Sequence, residues 1–337
     1  MITAVLEQLI AGRDLSVEDM SQVMETIMTG QVTAAQIGAF LVALRMKGEC
    51  SDEITGGALT MRRHVNSIDA GSDRVIDTCG TGGDSSNTFN ISTATAFVAA
   101  GAGITVAKHG NRSVSSRCGS ADVLAALGFN LEVDPMIMEE SIQLNGIGFL
   151  FAPQMHPAMK YVMPVRRELQ LRTIFNMLGP LTNPAAATGQ VIGVFDAQLT
   201  EMFAQALRNM GTRRAMIVHG HDGLDEITCT TETRVTELRD RQIRTYELYP
   251  DIILGMSYEH EEIAGGDADY NAAVIKDVLN GTNRGGARAV VLLNAAAAIV
   301  VGELADSLEE ALPLAEQAID SGAAMEKLQQ LVAASNS

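Results

Sequence analysis

Between Asp77 and Ser120 the chain concentrates residues suited to holding an anion. A glycine-rich turn, Gly80-Thr81-Gly82-Gly83-Asp84, lies between an apolar run (Val75-Ile76) and a helix-like run that opens with Asn90-Ile91-Ser92-Thr93. Glycines let a backbone approach a ligand closely, and a helix start presents N–H groups with no intrahelical partner. A second polar cluster, Lys108-His109-Gly110-Asn111-Arg112-Ser113-Val114-Ser115-Ser116, follows another apolar run, Ile104 to Ala107. Its cations supply charge and its hydroxyls directional donors, which phosphate binding explains better than a solvated loop does. Two such clusters one crossover apart point to a ligand with more than one phosphate. Neither is a dinucleotide fingerprint, which needs G-x-G-x-x-G, nor a P-loop, because no Gly-Lys-Ser/Thr follows.

A third cluster, His219-Gly220-His221-Asp222-Gly223-Leu224-Asp225-Glu226, follows the apolar run Ala215 to Val218. Asp225 and Glu226 are adjacent hard oxygen donors, suited to a magnesium ion that also touches a phosphate. His219 and His221 offer a zinc alternative, but no third and fourth ligand is evident nearby. Arg166-Arg167 is expected to open a helix, where two cations oppose the helix dipole. The pair reads either as a fork for a carboxylate or as an ordinary surface pair. His109 could be a base or a hydrogen-bonded structural residue. Cys79 reads as a small buried thiol, and Met20, Met24 and Met28, at helical spacing, read as core.

The elements that must position these groups fall into two regions. Residues 1 to about 66 read as helical throughout. Ser16 with Asp19 marks one start, and Val17, Met20, Val23, Met24 and Ile27 share a face up to Gly30. Thr33 with Gln36 forms a capping-box pattern ahead of Ile37, Phe40, Leu41 and Leu44. Ser51 starts a further helix reaching roughly His64. Such short helices rarely bury all their apolar surface, so this layer is expected to pack on a second domain or subunit. From residue 72 the pattern becomes strand, turn, helix, repeated, with strands expected at Val75-Thr78, Ile104-Ala107, Gly148-Phe151, Val191-Phe195, Ala215-Val218 and Ala289-Leu293. That alternation predicts an α/β domain with a mostly parallel sheet and ligands beyond the carboxyl ends of its strands. Met155 to Pro184 breaks the rhythm with four of the eight prolines. Within it, Val165 to Leu178 reads as one helix returning to the helical layer.

Composition narrows the class. A chain of 337 residues, 47% apolar, can build a large core. A net charge of −17 argues against general binding to DNA, RNA or anionic membranes, so a polyphosphate must be met by local cations or a metal. The start Met1-Ile2-Thr3 shows no secretory signal. The longest apolar stretch, Ala289 to Val301, is interrupted by Asn294 and is too short to span a bilayer. Cys50, Cys79, Cys118 and Cys229 are scattered without a C-x-x-C pair, as expected of reduced thiols in a cytoplasmic protein.

Taken in order, Asp77-Thr78-Cys79-Gly80-Thr81-Gly82-Gly83-Asp84, Asn90 to Thr93, Lys108 to Arg112, His156-Pro157-Ala158-Met159-Lys160, Arg166-Arg167-Glu168-Leu169, Asn176 to Pro184, Asp222 to Glu226 and Ala305 to Glu310 resemble the anthranilate phosphoribosyltransferase family, over nearly the full length. The resemblance implies an α/β fold of the nucleoside-phosphorylase type: a small N-terminal helical domain and a larger α/β domain with a mostly parallel central sheet. The helical domain would span 1–70 with a returning segment at about 166–186, and 71–165 with 187–337 would form the domain that binds phosphoribosyl pyrophosphate (PRPP). It implies transfer of the phosphoribosyl group of PRPP to anthranilate, in tryptophan biosynthesis, by a cytoplasmic homodimer that uses Mg2+ and binds neither nucleic acid nor membrane. Gly80, Gly83, Asp84, Thr88, Asn90, Ile91, Ser92, Thr93, Lys108, His109, Gly110, Asn111, Arg112, Ser113, Val114, Ser115, Ser116 and Ser120 would surround PRPP. Ser92, Asp225 and Glu226 would hold magnesium. Asn111 and Arg166 would contact anthranilate near Gly80, and Lys108, Asp225 and Glu226 would carry the catalytic charge. A pyrimidine nucleoside phosphorylase on the same fold is the nearest rival, and a catalytically inactive nucleic-acid binder is a second. The acidic pair, the Asn90 to Thr93 element and the net charge weigh against them.

Overall fold

The computed structural model describes residues 2–84, 86–113 and 117–337. Val114, Ser115 and Ser116, expected at the site, lie outside the described residues. The chain begins with helices α1 (Ile2–Ile10), α2 (Val17–Met28), α3 (Ala34–Lys47) and α4 (Ser51–Arg63). Local chemistry sets their starts: Ser16 Oγ accepts the Asp19 N–H at 3.1 Å, and Thr33 and Gln36 form the reciprocal capping box. Met20, Val23, Met24 and Ile27 are buried along one face of α2.

There follow β1 (Val75–Gly80), α5 (Ile91–Gly101), β2 (Thr105–Gly110), α6 (Ser120–Ala126), α7 (Pro135–Asn145), β3 (Ile147–Phe151), α8 (Ala152–Met155), α9 (Met163–Leu169) and α10 (Ile174–Leu178). The remainder is β4 (Gly189–Gly193), α11 (Leu199–Asn209), β5 (Arg214–Gly220), β6 (Thr233–Arg239), β7 (Gln242–Leu248), α12 (Pro250–Leu254), α13 (Ala268–Leu279), α14 (Gly286–Val301), α15 (Leu308–Asp320) and α16 (Ala323–Ser335). The strands form one sheet in the order β3-β2-β1-β4-β5-β6-β7. Strands β1 to β5 are parallel, and β6 and β7 are antiparallel additions. The strand order reverses direction between β1 and β4, which opens a crevice at their carboxyl ends, where sheets of this kind bind ligands.

Alternate strand residues enter two cores. Val191, Met216 and Val218 join α5, α13, α14, α15 and α16 on one face. Ile192, Ala215 and Ile217 join α2, α3, α4, α10 and α11 on the other. The helical layer therefore packs on the sheet, as short amphipathic helices require.

Two expectations are corrected, and one element had no expectation. Ala289-Leu293 is not a strand but the middle of α14, whose residues are all buried. A helix apolar on every side carries no 3.6-residue period, so its short apolar run imitates a buried strand. Val165 to Leu178 is not one helix: Gln170 adopts φ 50° and separates α9 from α10. The excursion nonetheless returns to the helical layer, since Val165, Ile174 and Leu178 share its core. The β6–β7 hairpin went unread because its turn uses Asp240 and Arg241, both at positive φ, in place of the usual glycine signal.

Candidate active site

Strands β1, β2, β4 and β5 each end on glycine, at Gly80, Gly110, Gly193 and Gly220. The loop after β5 crosses over the end of β4 to reach the end of β1. This crossing is possible because Gly193 has no side chain: a Cβ there would stand 1.4 Å from the Asp225 carbonyl oxygen. A Cβ at Gly80 would stand 2.4 Å from Asp225 Oδ2. Both glycines make room for the acidic loop, a use that a glycine inside a strand advertises. Gly193→Ala is expected to leave the core intact but push Asp225 out of register, lowering kcat by about 10²-fold. A crystal structure of the variant with Asp225 undisplaced would contradict this.

The acidic pair is tied to both donor-side elements. Gly82 N–H donates to Asp225 Oδ2 at 2.8 Å, and Ser92 N–H, in the first turn of α5, donates to Glu226 Oε1 at 3.1 Å. Asp84 lies close enough to act on both carboxylates. Ser86 Oγ donates to Asp84 Oδ2. The glycine loop is pinned to β4 by Thr81 N–H on the Gly193 carbonyl at 2.9 Å, and Phe195 N–H donates to Thr81 Oγ1 at 3.1 Å.

Lys108 lies beneath this cluster. It is 4% exposed, and Nζ donates to the Thr78 carbonyl and, at 3.2 Å, to Ser92 Oγ. The solvated-loop alternative for Lys108 and His109 is therefore excluded. Burial lowers the Lys108 pKa, opposed by the charges of Asp77 and Glu226. Asp77, fully buried, accepts His109 N–H at 3.1 Å and Asn183 Nδ2 at 2.7 Å. His109 and His156 face each other with Nε2 atoms 3.1 Å apart. Burial brings their pKa values down to about 3 and about 4, so the pair is neutral at pH 7.

Burial pushes Glu226 up to about 8, aided by Asp84 and opposed by Lys108. Burial, then the charges of Asp84 and Glu226, raises Asp225 well above the carboxylate range. A carboxyl with a raised folded-state pKa binds more protons folded than unfolded, so it costs stability as pH rises from its unfolded value through its folded one. His109 and His156 act in the opposite sense, but only below about pH 6.5. The ligand-free protein is therefore expected to lose stability between pH 7 and pH 8.5, and Glu226→Gln to flatten that slope. Denaturant midpoints across this range check it; parallel slopes in the two proteins would count against the assignment.

The other expected residues are distributed as follows. Thr88 bridges to Ala264, and Asn90 donates to the Cys118 carbonyl at 3.1 Å. Ile91 and Thr93 are buried in α5, and the Thr93 hydroxyl has no hydrogen-bond partner among the described residues. The N–H groups of Ser113 and Gly119 both donate to Asp122 Oδ2, at 2.9 and 3.0 Å, and Arg112 pairs with the same carboxylate. Burial opposes ionisation there, but these donors hold Asp122 below the usual range. Ser120 Oγ donates to the Asn111 carbonyl at 3.2 Å, and the Asn111 side chain is exposed. A side chain at Gly110 would strike Ser120 Oγ. His219 Nδ1 bonds the Val194 carbonyl at 2.7 Å and His221 pairs with Glu247 at 3.0 Å, so each ring has a protein partner.

Arg166 and Arg167 lie in the last turn of α9, not the first. There they complement the helix dipole instead of opposing it, so the dipole gives no sign of a special role. Arg166 carries a better sign: it is half-buried, burial lowers its pKa, and it pairs with no carboxylate among the described residues. Its guanidinium lies 5.8 Å from the Phe175 ring centroid. The α9–α10 connection reaches the glycine loop through Arg172, which donates to the Gly83 carbonyl and stacks 4.2 Å from the Phe195 centroid. Nothing in the sequence marked Arg172, whereas Gly193 could have been found as a glycine inside a strand.

The helical bundle domain of the glycosyl transferase family matches residues 3–65, and the a/b domain of the same family matches residues 72–325. Anthranilate phosphoribosyltransferase from Desulfosudis oleivorans is 54% identical over 332 residues, covering 98% of each chain. The crystal structure of anthranilate phosphoribosyltransferase from Thermus thermophilus superposes with TM-score 0.93 at 40% identity, covering 98% of this chain and 99% of that one. The Saccharomyces cerevisiae anthranilate phosphoribosyltransferase, in complex with PRPP and Mg, superposes with TM-score 0.90 at 27% identity, covering 99% and 98%.

Proposed function

The chain belongs to the anthranilate phosphoribosyltransferase family, and from that premise we propose that its site transfers the phosphoribosyl group of PRPP to the amine of anthranilate, releasing pyrophosphate, as a step toward tryptophan. The observation that carries this reading is the meeting of the glycine loop, Lys108 and the Asp225-Glu226 pair at one crevice. The N–H groups of Gly83 and Asp84, which have no acceptor among the described residues, offer donors to phosphate oxygens, while those of Thr81, Gly82 and Ser92 hold the loop in place. Lys108, held by Thr78 and Ser92, places a fixed positive charge under the same oxygens.

Mg2+ suits this donor set. Asp225 and Glu226 supply adjacent acidic oxygens, the charge of Asp84 disfavours ionisation of both, and Lys108 is the cation acting on Glu226. Ser92, Asp225 and Glu226 would hold the ion, with Asp84 adjacent. Bound there, magnesium would neutralise charge developing on the pyrophosphate oxygens as the bond to ribose C1 breaks.

Arg166 presents a guanidinium without a described carboxylate partner to the anthranilate carboxylate, with Asn111 as a second contact. The aromatic amine is neutral at pH 7 and attacks without a strong base, so the neutral His109–His156 pair is compatible with the chemistry. Movement of the α9–α10 hinge against the sheet would bring acceptor to donor and exclude water.

The domain division we infer is 1–70 plus about 166–186 against the remainder. Helix α3 supports a homodimer: beyond its buried face, Ala35, Ala39, Val42 and Met46 form a second apolar stripe, with Met46 83% exposed. Four free cysteines, and no described helix long and apolar enough to cross a membrane, support a cytoplasmic location. The direct test is loss of anthranilate fluorescence in the presence of the protein. Loss that requires both PRPP and Mg2+ is expected; phosphorolysis of thymidine with no anthranilate consumed would overturn the reading.

A further inference from the structure

Helix α14 is apolar apart from two side chains, Arg288 and Asn294. Arg288 reaches Asp320 at 2.9 Å. Asn294 is 1% exposed in the middle of the helix, where an uncompensated amide would be costly. Both of its N–H groups and its carbonyl oxygen are engaged. Oδ1 accepts the Ile227 N–H at 3.0 Å, and Nδ2 donates to the Ile227 carbonyl at 2.7 Å and to the Val290 carbonyl, one turn back, at 2.8 Å. One side chain thus pairs with both backbone groups of one residue, as a neighbouring strand would. That residue directly follows Glu226.

We propose that Asn294 is a positioning residue for the acidic pair, anchoring the backbone behind Glu226 to the buried core helix so that Asp225 and Glu226 stay together at the donor crevice. This rests on the metal role of those carboxylates given above. The loop is under electrostatic load, because Asp84 and Glu226 act on Asp225 and Asp84 acts on Glu226. On the crevice side Gly82 and Ser92 N–H groups restrain it. On the far side Asn294 restrains it, and the Thr228 N–H on Thr233 Oγ1 at 3.1 Å closes the turn. Outer-shell groups of this kind commonly set metal affinity by about 10- to 100-fold.

The test compares PRPP dissociation constants, by calorimetry, with and without Mg2+. Wild-type protein is expected to bind PRPP more tightly with magnesium. In Asn294→Leu, close in volume and favourable to the helix, that gain is expected to shrink by about tenfold while KM for anthranilate moves by less than about twofold. Asn294→Asp, which keeps the acceptor for Ile227 N–H but loses both donors, should fall between. A merely structural asparagine would lower Tm without changing the magnesium gain. Hydrogen exchange at the Ile227 amide needs no variant: slow exchange in wild type supports the anchor, and exchange as fast as an open loop overturns it. A full magnesium gain in both variants sinks this inference alone. No gain in the wild type sinks the metal reading, and this inference with it.

Discussion

Replacing Asp225 and Glu226 together by Asn and Gln is expected to lower kcat on the order of 10³-fold while the fold survives. The direction on stability is the informative part. Both carboxyls are raised by burial, and Asp84 adds to the repulsion. Neutral amides of the same shape can still accept the Gly82 and Ser92 N–H groups, so neutralisation removes repulsion and keeps the hydrogen bonds. The ligand-free double variant should therefore have a Tm at or above that of the wild type at pH 8, the pattern of a site that trades stability for activity. Turnover under limiting Mg2+ and thermal melts on the same preparations check it. Near-normal turnover, or a large fall in Tm, would show that the pair serves the fold and not the reaction.

Arg166→Ala is expected to raise KM for anthranilate by about 100-fold and to leave KM for PRPP nearly unchanged. A charged hydrogen-bonded pair contributes about 1.5–3 kcal/mol, and about 1.4 kcal/mol corresponds to a factor of ten. Arg166 pairs with no described protein carboxylate, so its removal strands no charge, and the loss falls on the acceptor. Arg166→Lys should recover only part of the affinity, because an ammonium keeps the charge but loses the planar fork. Steady-state kinetics with each substrate varied decide the matter; equal effects on the two Michaelis constants would contradict the carboxylate role. The neighbouring Arg167 is exposed and serves as the control.

The first five strands were legible because each is a short apolar run that ends near a glycine or a polar cluster, and the two polar clusters on β1 and β2 fell on the predicted edge. Three features were hidden for separate physical reasons. The burial of α14 on all sides erased the period that distinguishes helix from strand. The break at Gln170 uses a left-handed conformation in a residue type that gives no warning of it. The depth of Lys108 depends on the sheet closing over it, which no local pattern encodes. Asn294 was visible only as an interruption in an apolar run. Its partner, 67 positions earlier in the chain, became apparent only once the helix lay against the loop.

At the centre stands one claim: Asp84, Lys108 and the Asp225-Glu226 pair serve one donor molecule and one divalent ion. The most direct measurement is an anomalous difference map from crystals grown with PRPP and Mn2+ in place of Mg2+. The expected result is a manganese peak within ligand distance of Glu226, beside a diphosphate held between the glycine loop and Lys108. A manganese peak remote from both acidic residues, or a diphosphate bound away from Gly80 to Asp84, would contradict it.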